Sequence, residues 1–258
     1  MGTATFDFTG ETAIVTGGSS GIGRAVARRF GEAGATVVVA DVREAPKGEG
    51  DPTHEVIADD GGEAVFVESD VSDREDVETA VEAAREFGGV DVMVNNAGIH
   101  RGGLFLDSVE EDFEMLFDVN VKGVFHGTQV AALDMIERGE AGAVVNTASI
   151  SSTIAQVGQS MYNATKAGVK MLTQNAAIEL AQEDIRVNAV APGAIETEIG
   201  GGTRSRSDRE RPDVGKQVPM PGRAAPAEIA GLYLTLASDE ASFVTGELLY
   251  ADGGYTAL

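Results

Sequence analysis

The chain has 258 residues, 43% of them hydrophobic, which suffices for one α/β core without covalent staples. It contains no cysteine, which excludes disulfides and cysteine–metal sites, and its three histidines (His54, His100, His126) share no metal-ligand spacing. Its formal net charge of −23, from 42 acidic against 19 basic residues, argues against nucleic acid as a partner. The acids are spread without a block, as expected of a protein adapted to high salt, where self-repulsion is screened.

In chain order, the stretch TAIVTGGSSGIGRAVARRFGEAGATVVVAD (residues 12–41) reads as strand, tight turn, helix, strand. Ala13 to Val15 is apolar, Gly17, Gly18, Gly21 and Gly23 open a turn, and Ile22, Val26, Ala27 and Phe30 recur at helical spacing. Gly34 closes the helix and residues 36–40 form a valine-rich strand. A βαβ unit with a glycine-rich first turn is the dinucleotide fingerprint. Residues without Cβ let backbone N–H groups reach a pyrophosphate, and the helix N-terminus adds about half a positive charge. Asp41 ends the second strand, where a carboxylate accepts the adenosine ribose hydroxyls and repels a 2′-phosphate. Ser20 and Val42 bring no positive charge there, and Arg43 is the nearby cation. NAD is therefore expected in preference to NADP.

Further strands are expected at 64–68, 91–95, 143–149, 186–191 and 248–251, and helices at 55–59, 74–87, 109–137, 160–179 and 227–236. This alternation predicts one α/β domain: a Rossmann-like, doubly wound parallel sheet of about seven strands with helices on both faces. The ligand crevice then lies at the carboxyl ends of the strands. Residues 10–120 form the cofactor half, and 121–258 the catalytic and substrate half. The segments 43–53 and 199–223 are polar and irregular. No run of 18 apolar residues predicts a membrane span, and MGTATFDF lacks the basic and apolar regions of a signal peptide, so a cytoplasmic location is expected.

Tyr162 and Lys166 stand at i and i+4 in YNATK, so a helix places them on one face. A phenol titrating near 10 needs a positive neighbour to act as an acid–base group at neutral pH. Ser149 precedes the tyrosine by thirteen residues.

The glycine spacing here is T-G-x-x-x-G-I-G (residues 16–23) rather than G-x-G-x-x-G. With Asp70 in SDVSD, NNAG (95–98), Asn120 in FDVNVKG, the Ser149–Tyr162–Lys166 interval, PGAIET (192–197) and VTGELLYADGG, it resembles the classical short-chain dehydrogenases/reductases over nearly the whole chain. The resemblance implies hydride transfer between nicotinamide C4 and a carbonyl or carbinol carbon, with no metal. Tyr162 would be the acid–base group. Lys166 would lower its pKa and hold the nicotinamide ribose. Ser149 would hydrogen-bond the substrate oxygen, and Asn120 would bind the backbone and a water leading to Lys166.

The implied cofactor contacts are Gly17, Ser19, Ser20, Gly21, Ile22, Gly23, Asp41, Asp70, Val71, Asn96, Ala97, Gly98, Tyr162, Lys166, Pro192, Gly193, Ile195 and Thr197. Ile150, Gln156 and Ala194 would touch substrate, with Ile154 and Met161 beside them and His100 at the substrate mouth. A lid over 196–225 carries Arg204, Arg206, Arg209 and Arg211, which would attract an anionic substrate such as a CoA thioester. The substrates implied are small alcohols or carbonyl compounds: sugars, 3-oxoacyl thioesters or steroid-like secondary alcohols. The alternatives are an NADPH-dependent 3-oxoacyl-thioester reductase and a non-catalytic dinucleotide sensor or scaffold. Pairing of helices 109–137 and 160–179 between copies implies a homotetramer.

Overall fold

Seven parallel strands run in the order β3-β2-β1-β4-β5-β6-β7 in the computed structural model, which describes residues 2, 4–197 and 218–257. They are β1 (Thr12–Thr16), β2 (Thr36–Asp41), β3 (Glu63–Glu68), β4 (Val92–Asn95), β5 (Gly142–Thr147), β6 (Ile185–Pro192) and β7 (Leu248–Ala251). β1 pairs on one side with β2 (Val15 opposite Val39) and on the other with β4 (Val15 opposite Val94). The strand order therefore reverses between β1 and β4, and the crevice opens beyond their carboxyl ends.

Both faces of the sheet are covered, which is why the strands read as continuous apolar runs. Side chains alternate between two cores. Ala13, Val15, Val37, Val39, Val92 and Val94 face α1 (Gly21–Glu32), α2 (Thr53–Asp59) and α7 (Pro226–Ala237). Ile14, Val38, Ala40, Met93 and Val144 face α3 (Arg74–Arg85), α5 (Gly123–Arg138) and α6 (Ser160–Leu180). The period-2 alternation of strands and the spacing of Val26, Ala27 and Phe30 on α1 produce these cores directly.

Two expectations need correction. The strand expected over 143–149 begins at Gly142 and ends at Thr147, which leaves Ser149 beyond the sheet. Ser149 instead caps a short 3₁₀ turn, Ile150–Ser152, and its side chain accepts the Ser151 N–H. The helix expected over 109–137 is not uniform. α4 (Glu110–Phe117) passes into a wide π turn, Asp118–Lys122, before α5 begins. An extra residue in one turn leaves hydrophobic spacing on either side intact, so the apolar pattern does not reveal it. The buried residue of that turn is Asn120.

Among the described residues no helix is long and apolar enough to cross a membrane, and no group of three or more His, Asp or Glu side chains could hold a metal ion.

Candidate active site

The turn after β1 brings Gly17, Ser19, Ser20, Gly21 and Gly23 to the mouth of the crevice. Gly17 has φ +64°, and a Cβ on it would lie 2.9 Å from the Ala97 Cα. A Cβ on Gly23 would strike the Gly17 carbonyl oxygen and the Asn96 side-chain amide. The turn is thus folded tightly onto the segment after β4, and a side chain at either position would push the two apart. No side chain caps α1, because Ser20 Oγ instead accepts the Lys47 N–H at 2.8 Å. The Ser19 hydroxyl is buried without a partner among the described residues. A bare helix start, a side-chain-free cradle and an unpaired hydroxyl fit a pyrophosphate. A cleft of about 490 Å³ beside Ser20 and Gly21 is also lined by Arg24, Thr197 and Arg223, so the PGAIET segment meets the glycine turn.

Asp41 at the end of β2 accepts the Ser19 N–H at 3.1 Å and the Arg43 N–H at 3.3 Å. Burial raises its pKa, opposed by those two N–H donors and by Lys47 and Arg43. The carboxylate therefore stands at the end of β2 with two cations close enough to influence it. Asp70 is exposed after β3, with one carboxylate oxygen taken by the Ser72 N–H and hydroxyl, while Val71 is buried beneath Gly123.

After β4, the Asn96 amide donates to the carbonyls of Thr16 (3.0 Å) and Gly17 (3.3 Å). The Thr16 hydroxyl accepts the N–H groups of Asn96 and Ala97. Asn120 reaches across from the π turn. Its oxygen accepts the Ile99 N–H at 2.8 Å, and its amide donates to the Ile99 carbonyl at 2.9 Å and to Thr165 Oγ1 at 3.2 Å. The π turn aims this side chain at the strand-end loop, and Asn120 is wholly buried there.

α6 carries Tyr162 and Lys166 into the same place. The phenol hydrogen-bonds Ser149, and burial pushes its pKa up to about 12 against that bond. Lys166 is 4% exposed, and burial pushes its ammonium down to about 8. Its Nζ donates to the Thr147 carbonyl at 2.7 Å and lies 5.8 Å from the centre of the Tyr162 ring. A Cβ on Gly98 would come 3.8 Å from the same nitrogen. Burial is the larger influence on the phenol and the Ser149 hydrogen bond the smaller one, so its pKa lies above the ordinary value.

Ile150 is buried, the Gln156 oxygen accepts the Ser151 hydroxyl at 2.7 Å, and Ala194 is exposed with its carbonyl bonded to the Ala224 N–H. Gly193 packs on Asp252 at the end of β7, and Ile195 is buried. The arginines at 204, 206, 209 and 211, expected on a lid, lie outside the described residues.

Sequence reasoning missed the supports. Tyr233 of α7 is fully buried and its hydroxyl pairs with Thr147 Oγ1 at 2.9 Å. Ser152 Oγ donates to the Lys166 carbonyl at 2.8 Å, fixing the first turns of α6. His100 packs edge-on against Tyr162, ring centres 4.9 Å apart, with its Nε2 against Gln159 Oε1. Of these, His100 was singled out by its place after NNAG, whereas Tyr233 and Ser152 were not.

Comparison with known proteins agrees with this geometry. Residues 17–256 match the family model described as enoyl-(acyl carrier protein) reductase. Glucose 1-dehydrogenase 2 of Bacillus subtilis is 41% identical over 252 residues, covering 97% of this chain and 96% of the relative. 3beta-Hydroxysteroid dehydrogenase 2 of Eggerthella lenta is 40% identical over 251 residues, covering 96% and 95%. Among solved structures, a short-chain type dehydrogenase/reductase from Mycobacterium marinum superposes with a TM-score of 0.86 at 36% identity, covering 98% of each chain. An Agrobacterium tumefaciens protein assigned as a 2-deoxy-d-gluconate 3-dehydrogenase, with NADP bound, gives 0.84 at 33% identity, covering 99% of this chain and 100% of that one. The sheet order, the glycine turn and these likenesses over almost the full length lead to one conclusion: the chain belongs to the short-chain dehydrogenase/reductase family, oxidoreductases that use a nicotinamide dinucleotide.

Proposed function

We propose that the chain is an NAD-preferring dehydrogenase that interconverts a secondary alcohol and its ketone, with Tyr162 as proton carrier. The observation that carries this reading is the convergence of Ser149, Tyr162 and buried Lys166 at the carboxyl end of β5, beside Gly98. The nicotinamide, when bound, supplies or accepts the hydride. The chain's own residues do the rest. Tyr162 keeps its proton at neutral pH and donates it to the carbonyl oxygen as negative charge develops there. Ser149 holds the same oxygen, so two donors converge on one developing charge. In the reverse direction Tyr162 must release its proton, and the Lys166 ammonium on the same helix face stabilises the phenolate. Asn120 holds Ile99 and Thr165, and thereby the wall facing Lys166.

Preference for NAD rests on Asp41, whose carboxylate would oppose a 2′-phosphate. Arg43 and Lys47 favour a second reading, NADPH-dependent reduction of a 3-oxoacyl thioester, because both influence Asp41 and could offset its charge. The NADP-bound neighbour lends support to the cofactor half of this second reading.

Two further properties are proposed. The excess of acid suits a chain working in concentrated salt inside the cell. Phe113, Phe125, Leu133, Ile136, Met171 and Ile178 are exposed on α4, α5 and α6, an apolar surface suited to pairing between copies in a homotetramer. Light scattering in high salt tests the assembly, and a monomer would refute it.

The test of the reaction is a panel of alcohols and ketones assayed with each cofactor in molar KCl. Turnover is expected with NAD. Tyr162→Phe is expected to lower kcat by about 10²–10⁴-fold and to leave the reduced-nicotinamide dissociation constant within about threefold. Full turnover in that variant would require another proton donor and would sink the assignment.

A further inference from the structure

We propose that Tyr233 of α7 and Thr147 of β5 are positioning residues for the nucleotide, acting through Asn96 to hold the glycine turn in its binding shape. The inference rests on the reading of the glycine turn as the cofactor cradle, whichever nucleotide and alcohol are preferred. Neither side chain belongs to the motifs that carry the family resemblance.

The strands dictate where these groups meet. β4 and β5 pair with Asn95 opposite Asn146. Side chains alternate along a strand, so Asn96 and Thr147 continue the rows of Val94 and Val145, on the face covered by α1 and α7. Those apolar rows turn polar at the strand ends, beside the crevice. Tyr233 matches the change. Its ring belongs to the same apolar cluster, and its hydroxyl meets Thr147 Oγ1 at 2.9 Å.

Only one direction of hydrogen bonding satisfies every member of the chain. The Asn96 amide faces the Thr16 and Gly17 carbonyls, which only accept, so its nitrogen lies on that side and its oxygen faces Thr147. Thr147 Oγ1 gives its single hydrogen to Asn96 Oδ1 across a long 3.4 Å. Tyr233, wholly buried, then donates to Thr147, and burial raises its pKa, so that hydrogen is kept. A buried relay thus runs from α7 through β5 to the carbonyls where β1 becomes the glycine turn. The Asn96 amide is also wedged beneath α1, where a Cβ on Gly23 would strike it. Swinging that amide would release the Gly17 carbonyl and let the turn shift. Packing alone does not require the pair, because phenylalanine and valine would fill the same space without burying two hydroxyls. The Thr147 carbonyl that receives Lys166 is a backbone group and survives exchange of the side chain.

The test measures NADH and NADPH binding by nicotinamide fluorescence, and urea unfolding, in molar KCl. The variants are Thr147→Val, Thr147→Ser, Tyr233→Phe and the double variant of Thr147→Val with Tyr233→Phe. Thr147→Val is expected to weaken the tighter-bound nucleotide about tenfold or more, and Tyr233→Phe by a smaller factor. Thr147→Ser keeps the hydroxyl and should bind within about twofold of the wild type. The double variant separates positioning from mere support. It leaves no unpaired hydroxyl between α7 and β5, so its urea midpoint should return toward the wild type while its affinity stays as poor as that of Thr147→Val. A purely structural pair would restore both together. Wild-type affinity in Thr147→Val, or in the double variant, overturns the proposal; if Thr147→Val does not fold, the double variant alone decides. Each of those results leaves the cofactor reading of the glycine turn intact. A wild-type protein that binds neither nucleotide overturns both.

Discussion

Replacing Lys166 by methionine separates the cost of burying a charge from the work that the charge does. Lys166 is almost fully buried, and its Nζ donates to the Thr147 carbonyl at 2.7 Å. Burial lowers its pKa from 10.5 to about 8, which corresponds to about 3 kcal/mol of disfavour for the charged form. The sign follows from proton counting. Between pH 8 and pH 10.5 the unfolded chain still binds a proton that the folded protein has released, so stability rises with pH across that window. Below pH 8 both states are charged and this slope disappears. Methionine fills most of the lysine volume without a charge, but it leaves the Thr147 carbonyl short of a donor, a loss of about 1–3 kcal/mol. At neutral pH the two changes oppose each other, and the variant is expected within about 2 kcal/mol of the wild type. The pH slope does not cancel. Urea unfolding in molar KCl without nucleotide, from pH 7 to 10.5, should show the wild type gaining about 3 kcal/mol relative to Lys166→Met. Ionisations common to both proteins drop out of the difference. Parallel profiles would mean that Lys166 is hydrated in the native state, and would refute the reasoning.

Three further outcomes follow from the same geometry. Gly23→Ala places a Cβ against the Gly17 carbonyl and the Asn96 amide. Overpacking of that kind costs about 1–3 kcal/mol, so Tm should fall by about 2–12 °C and nucleotide affinity by more than tenfold. An unchanged affinity, read by nicotinamide fluorescence, would show that the turn relaxes freely. Asp41→Ala removes the carboxylate that opposes a 2′-phosphate and leaves Arg43 and Lys47 in place. The ratio of kcat/KM for NAD over NADP should drop at least tenfold, and a constant ratio would place the selectivity elsewhere. Moving from dilute buffer to 2 M KCl should raise Tm by about 10 °C or more, because salt screens a net charge of −23; equal melting temperatures would remove the proposed adaptation to high salt.

The layered fold was legible because its signals are local. Valine runs mark β2, alternating with the glycine turn and the spacing of Val26, Ala27 and Phe30, and these place the first βαβ unit almost to the residue. Asn120, Ser149, Tyr162 and Lys166 could be singled out from their order and intervals, and the structure brings them to one strand-end region. The interval does not encode what holds them. Thr147 receives Lys166 through a backbone carbonyl, a contact any residue could make. Tyr233 meets Thr147 across 86 positions, and Thr165 meets Asn120 across 45, so neither leaves a pattern in a short window. The burial that raises the tyrosine's pKa was also beyond the sequence, because that packing exists only after folding.

The wide turn at Asp118–Lys122 makes this stretch of chain sensitive to length. Each α-helical residue advances the rotation by about 100°. Deleting one residue would regularise the backbone while winding α4 and α5 out of phase, so Asn120 could not face Ile99 while Val124, Ala131 and Met135 remained in the core. A one-residue deletion here is therefore more damaging than most side-chain replacements in the same segment, whereas the loop at 43–52 has slack to absorb one.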